Sequence, residues 1–169
     1  MGMGSGGSGF SSGTGLTGKH IIAVDQNIRF ADSTNDTVIV ELSGVKIPAN
    51  AIITTVAAVV KTASNLGTHN VNIHLNTSSG IAADAAIDSA GSEVEILGAG
   101  VSNTDSTDSA STSDIDLKND PKEVWICRDT IRCTTSDQYI YVCNAGTSNG
   151  TTNSTAGTLS IIIEYYGMD

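Results

Sequence analysis

The fold is decided by Gly44–Ser64, GVKIPANAIITTVAAVVKTAS. It opens with a short apolar step, Val45 and Ile47, and turns at Pro48-Ala49-Asn50. Of the twelve residues from Ala51 to Thr62, eight are β-branched: Ile52, Ile53, Thr54, Thr55, Val56, Val59, Val60 and Thr62. Two heavy atoms on Cβ stiffen χ1 and suit a pleated surface better than a helix. A helix competes, because Ile52, Val56, Val59 and Ala63 also recur at three- and four-residue steps. β-Branching and the Pro-Ala-Asn turn outweigh that period and predict a strand. Strict alternation then puts Val56, Ala58 and Val60 on one side, and Ile53, Ala57 and Val59 on the other. Both sides are apolar. One should meet the core and the other a second sheet, a loop or a neighbouring subunit, so Ile53, Ala57 and Val59 are candidate partner-binding residues.

Outward from this strand, the chain is a series of short apolar runs separated by polar turns. His20–Asp25 (HIIAVD) predicts a strand, followed by a short apolar piece at Ile28–Ala31. Thr37–Ser43 predicts another, with Val38, Val40 and Leu42 on one face. His69–Asn76 (HNVNIHLN) alternates most cleanly: Val71, Ile73 and Leu75 inward, Asn70, Asn72, His74 and Asn76 outward to solvent. Residues 77–92 read as a short helix at Ala82–Asp88 or as loop, and Glu93–Leu97 as a strand. Lys122–Cys127 and Thr130–Thr134 are expected to pair with each other. In the first of these, alternation puts Trp125 in the core, opposite Val124 and Ile126. Gln138–Asn144 and Thr158–Tyr166 close the list, the latter with Leu159, Ile161, Ile163 and Tyr165 on one face. Two polar stretches, Gly98–Ser113 and Ala145–Gly157, are long loops. Such loops suit Greek-key or jelly-roll wiring, and the expectation is an all-β, jelly-roll-like antiparallel sandwich of about eight strands at residues 20–169.

Residues 1–19 form a separate Gly/Ser-rich N-terminal arm, with eight glycines through Gly18. It cannot bury enough to repay its ordering and should be flexible when alone. Phe10 and Leu16 are its apolar handles beside Met1 and Met3, and are candidate partner contacts if the arm orders along a neighbour.

The chain of 169 residues is one domain, large enough to bury about 70% of its extended-chain surface. Aromatics are only 4%, so Val, Ile, Leu and Ala must build the core. The net charge is −10, and the eight Lys and Arg are scattered. Nucleic-acid binding needs clustered cations to neutralise phosphates, so a nucleic-acid partner is not expected. No apolar window is long enough to span a membrane, and MGMGSGGSGF has neither the basic start nor the apolar centre of a secretory signal. Cys127, Cys133 and Cys143 are an odd number in apolar runs, which predicts buried thiols; a Cys133–Cys143 bridge is the alternative. Sequons at Asn35, Asn76, Asn149 and Asn153 follow from a Ser/Thr/Asn-rich composition.

Chemistry is sparsely provided. His69 and His74 are five apart and point to opposite faces of a strand, and His20 is isolated, so no shared metal is expected. There is no nucleophile elbow, phosphate-binding loop, dinucleotide fingerprint or zinc-protease motif. Asp105, Asp108, Asp114 and Asp116 could offer oxygens to calcium, yet they lack the EF-hand order. The expectation is a protein that is not an enzyme, with no catalytic residues, cofactor or metal.

The run LSGVKIPANAIITTVAAVVKTAS with HNVNIHLN, the segment EVEILGAG and the closing GTLSIIIEYYG together resemble small structural proteins of tailed bacteriophages, marine and cyanophage ones especially. Within that group the chain is similar to capsid decoration (cement) proteins and to jelly-roll head- or tail-fibre proteins. The resemblance covers residues 37–167 and is one of texture. It implies a virion protein made in the host cytoplasm, decorating a capsid through the major capsid protein and its own copies, as a homotrimer. The other reading is a receptor- or glycan-binding module of a tail fibre or spike.

Overall fold

The computed structural model describes residues 16–28, 36–64, 70–98, 104–106, 114–117, 124–145 and 157–168. These hold the strands β1 (Leu16–Ile28), β2 (Val38–Ile47), β3 (Ile52–Thr62), β4 (Asn70–Asn76), β5 (Glu93–Leu97), β6 (Thr104–Ser106), β7 (Ile115–Asp116), β8 (Val124–Cys127), β9 (Ile131–Arg132), β10 (Gln138–Asn144) and β11 (Gly157–Met168). They form two antiparallel sheets, as the alternation and the turn-rich composition predict. One has the order β1-β11-β3-β8-β6, with β9 also on β3; the other is β2-β10-β4-β5, with β7 also on β4. First strand lies beside last in one sheet, and second beside next-to-last in the other. The result is an all-β antiparallel sandwich whose two sheets are joined by repeated crossings of the chain.

The core is assembled from registered rows. Ile22, Ile163, Val56 and Cys127 are cross-strand partners in one row, and Val24, Ile161, Ala58 and Trp125 in the next. Leu159 and Val60 extend the pattern. All but the β1 members are fully or almost fully buried, and the facing sheet answers with Leu42, Val71, Ile73, Leu75, Ile140 and Val142. Trp125 is completely buried, as its alternation predicts.

Four expectations need correction. Ile53 does not share a face with Ala57 and Val59. Thr55 pairs with Glu164 but Ile53 with Tyr165, so Thr54 is an extra residue in a bulge, which turns Ile53 into the core. A second irregularity skips Ile39, so Val38 faces away from Leu42 and joins a separate cluster with Ile87, Tyr141 and Cys143. β8 and β9 do not pair with each other; both lie along the same edge of β3, Cys127 opposite Val56 and Ile131 opposite Ile53. Finally, the polar side of β4 does not meet solvent. Asn72, His74 and Asn76 are buried and Asn70 is half-buried.

What covers β4 is the segment 77–92, which holds only a 3₁₀ turn at Ile87–Ser89 where a helix was one expectation. It is tied back over the sheet by backbone bonds from Val38 N to Ala85 O (2.8 Å), Asp84 N to Val38 O (2.9 Å) and Ile87 N to Asp36 O (2.9 Å). The Asn76 amide donates to Ile87 O at 2.8 Å and its oxygen accepts from Ser78 N at 2.7 Å. The Tyr141 hydroxyl donates to Ser78 O at 2.8 Å. Buried amides must be satisfied in this way, since an unpartnered one costs about 1–3 kcal/mol. Asn76, one of the sequons, is therefore inaccessible to a sugar in the folded chain.

The strand boundary nearest the arm also shifts. β1 begins at Leu16, earlier than His20; Leu16 pairs with Met168, and the register shifts before Lys19 pairs with Tyr166. Phe10 lies outside the described residues, as do His69, Asp108 and most of the two long loops.

Trp125→Ala should destabilise the domain by about 3–5 kcal/mol, because the cavity lies between both sheets. Ile126→Ala, one residue on but on the opposite face, should cost on the order of 1 kcal/mol. Chemical denaturation of both variants measures the difference.

Candidate functional site

The candidate site is the outer face of the β1-β11-β3-β8-β6 sheet. Ala23, Ile162, Ala57 and Ile126 are successive cross-strand partners, so they form a row across four strands on the side away from the core. Beside it Ser160, Val59 and Val124 form the next row, and Ile21, Glu164 and Thr55 the one on the other side. Ile21 is 61% exposed, Ala23 is exposed, and Ile162, Val59, Val124 and Ile126 are half-buried. Ala57 is 9% exposed, its small side chain lying between Ile162 and Ile126.

Charges frame this apolar row. On one side Lys19 Nζ meets Glu164 Oε2 at 2.8 Å. On the other, Lys61 Nζ meets Asp25 Oδ2 at 2.5 Å, and the Ser160 hydroxyl donates to Asp25. The hydrogen bond from Lys61, then that from Ser160, holds the Asp25 carboxyl below its ordinary value; Lys19 does the same for Glu164. These exposed pairs contribute little to stability and lose even that as pH falls through the lowered carboxylate values. Their geometric effect is larger. An apolar strip with a polar margin has the layout of a docking surface.

Of the sequence-predicted partner residues, Ala57 and Val59 lie on this face and Ile53 does not. Leu16 contributes backbone to β1, and Phe10 is outside the described residues. Sequence reasoning missed Ala23, Ile126 and Ile162. For Ile126 and Ile162 the signal was present: each occupies the off-phase position of a strand whose core face was correctly read, whereas no face was assigned to the strand that holds Ala23.

The chemically versatile side chains lie elsewhere. Cys127, Cys133 and Cys143 are all buried, and no disulfide joins them. Burial pushes the Cys133 thiol up to about 11, and raises that of Cys143 further with the carboxylates of Asp36, Glu93 and Glu95 nearby. A suppressed thiolate is a poor nucleophile. His20 stacks on Tyr165, ring centroids 5.2 Å apart, and His74 Nδ1 lies 2.7 Å from Glu93 Oε2 under the 77–92 segment. Asp114 and Asp116 are on or beside β7 and Asp105 on β6, in the opposite sheet. Among the described residues no three His, Cys, Asp or Glu converge as metal ligands, and no helix is long and apolar enough to cross a membrane.

No protein-family model matches the sequence, and no curated protein matches it. Among solved structures, the chain is similar to one described as "Cyanophage Pam1 capsid asymmetric unit". The identity is 12% and the TM-score 0.40, over 98% of this chain and 93% of that one.

Thiol labelling at mildly alkaline pH should report the buried cysteines. In denaturant all three should react, whereas the folded chain should show none on the same timescale. A rapidly labelled Cys133 or Cys143 in the folded chain would contradict the packing described.

Proposed function

We propose that this chain is a non-catalytic structural protein of a virion, which decorates and reinforces a bacteriophage capsid by docking on the major capsid protein and on its own copies. The observation that carries this reading is the apolar row Ala23–Ile162–Ala57–Ile126, half-open on an outer sheet face and bordered by ion pairs. A domain that needed only to fold would gain from polar residues at these positions. The texture shared with phage cement proteins supports the capsid as the surface concerned.

The mechanism is additive burial. Each copy contributes a modest apolar contact, and many copies on one shell gain from multivalency. Whatever binds the assembled shell and not its dissociated subunits stabilises the shell by mass action. A trimer would join three such rows, with the N-terminal arm reaching across to neighbouring subunits.

Ile162→Asp and Ile126→Asp are the direct tests. Each places a charge in the row while leaving the core untouched. Both variants should melt within a few degrees of the unaltered chain, yet fail to occupy particles when added to shells that lack the protein. Such shells should also break at lower temperature than decorated ones. Full occupancy by both variants would overturn the docking face. A copy number of a few per particle, at the tail, would overturn capsid decoration in favour of a fibre or spike module.

A further inference from the structure

β1 is an edge strand. It has β11 on one side, and no strand among the described residues lies along the other. On such an edge every second residue turns its N–H and C=O outward, where they can template another chain. The other sheet edges among the described residues carry features that blunt this. β2 has two register irregularities and exposed Ser43, Gly44 and Lys46, while β5 has only five residues and β6 three. By contrast, β1 pairs with β11 without interruption from Lys19 to Ile28 and holds no proline.

Both faces of this edge are under-filled. On the core side Ile22 and Val24 pack against the core yet stay half-buried, although every other member of their two rows is buried. On the outer face Ile21 is 61% exposed and Ala23 is exposed. A strand added beyond β1 would cover all four.

The sequence of the edge indicates which strand that is. Lys19-His20-Ile21-Ile22-Ala23-Val24-Asp25 is balanced about Ile22, with a cation three residues before it and an anion three residues after. Two copies of β1 set antiparallel about a two-fold axis at Ile22 place Ile21 opposite Ala23, His20 opposite Val24, and Lys19 opposite Asp25. An axis normal to the sheet keeps outer face with outer face, so Lys19 and Asp25 meet on one side. Directly opposite residues have Cβ atoms about 4.5–5.5 Å apart, and opposite charges there attract. Within each copy Lys19 already bonds Glu164, and Lys61 already bonds Asp25. The outer face would then carry the alternating series Lys61, Asp25, Lys19, Glu164 across the junction, once in each direction. Moving the axis to Ile21 or Ala23 puts Lys19 opposite Ala23, or Ile21 opposite Asp25, and loses both new pairs. The chain's net charge of −10 opposes self-association. This stretch, however, is neutral and offers alternate signs to its own copy.

We propose that β1 is an interface between two copies of this chain, joined edge to edge about a two-fold axis at Ile22 into one continuous sheet. The contact runs along the edge, leaves most of the apolar row's face open to other partners, and does not rest on the capsid reading. It engages roughly 20 Å of strand, a small interface, so association follows concentration.

Sedimentation of the purified full chain over a range of concentrations is the test, and a monomer–dimer equilibrium is expected. Lys19→Glu sets two anions opposite each other across the junction, and Asp25→Lys two cations. Each variant alone should therefore dimerise about tenfold more weakly or worse. An equimolar mixture of the two variants restores both cross-copy ion pairs and should recover most of the affinity. Mixing repairs no contact inside either copy, so recovery reads the junction alone. Ile126→Asp, on the apolar row but far from the edge, should dimerise as the unaltered chain does, which separates this contact from docking by the row. A chain that is monomeric at its highest soluble concentration, a trimer, or charge variants that dimerise undiminished would each overturn the proposal. So would a mixture no better than its parts, or loss of the dimer in Ile126→Asp. If a charge variant is unfolded, cross-linking decides: Ile21→Cys mixed with Ala23→Cys should oxidise to a covalent dimer faster than either alone, the native cysteines being buried. Equal rates would refute the register.

Discussion

The register of β11 between β1 and β3 is the constraint on which the rest of the sandwich depends. Side chains on a strand alternate with a period of two, so a slip by one residue would exchange Leu159, Ile161 and Ile163 for Ser160, Ile162 and Glu164 in the core. Burying Glu164 in place of Ile163 would strand a charge among aliphatic side chains, at a cost far above the few kcal/mol by which a domain is stable. The outer face reinforces the same register. Lys19 reaches Glu164, and Lys61 and Ser160 both reach Asp25, only when these rows are aligned. Apolar rows inside and polar pairs outside therefore specify one alignment from both surfaces of one sheet.

The two outer faces solve the problem of a second surface differently. On the β2-β10-β4-β5 sheet, Tyr141, Cys143 and Val38 are covered by Ile87, so the chain supplies its own third layer and closes a small second core. That cover also buries His74, Asn72 and Asn76; the Asn76 amide is bonded through both its nitrogen and its oxygen, and His74 and Asn72 each reach a carboxylate. On the β1-β11-β3-β8-β6 sheet the corresponding apolar row is left half-open. One face is finished within the chain, and the other is not.

How much of this was legible in the sequence varies with the physics involved. The strand character of Ile52–Thr62 was readable because β-branching and a turn agree, and the core faces of β4, β8 and β11 because alternation there is uninterrupted. Ile53 was misplaced because a bulge at Thr54 inverts the parity, and a bulge has no signature in a single strand's own residues. Val38 was misplaced for the same reason at Ile39. The polar side of β4 looked solvent-facing, since Asn and His are common on wet faces. Its burial is set by a return of residues 77–92 across the sheet, a long-range event anchored through Asp36 and Val38 backbone. The outer apolar row was half legible. Ala57 and Val59 belong to the strand that was read most closely, whereas Ile126 and Ile162 joined them only once strand order was known.

Charge then distinguishes what can meet each face. The chain carries 18 acidic and eight basic residues, and the three described lysines are all engaged, with Glu164, Asp25 and Asp137. Copies of such a chain repel one another beyond contact, although at physiological ionic strength that repulsion decays over about 8 Å. Self-association must then come from short-range burial, which the row of Ala23, Ile162, Ala57 and Ile126 can offer and a carboxylate basin cannot. The carboxylates that border the basin at His74 and Glu93 have the converse property: they disfavour the approach of a second copy of this acidic chain. The two outer faces thus differ in kind, one apolar and half-open, the other covered by the chain's own 77–92 segment and bordered by carboxylates.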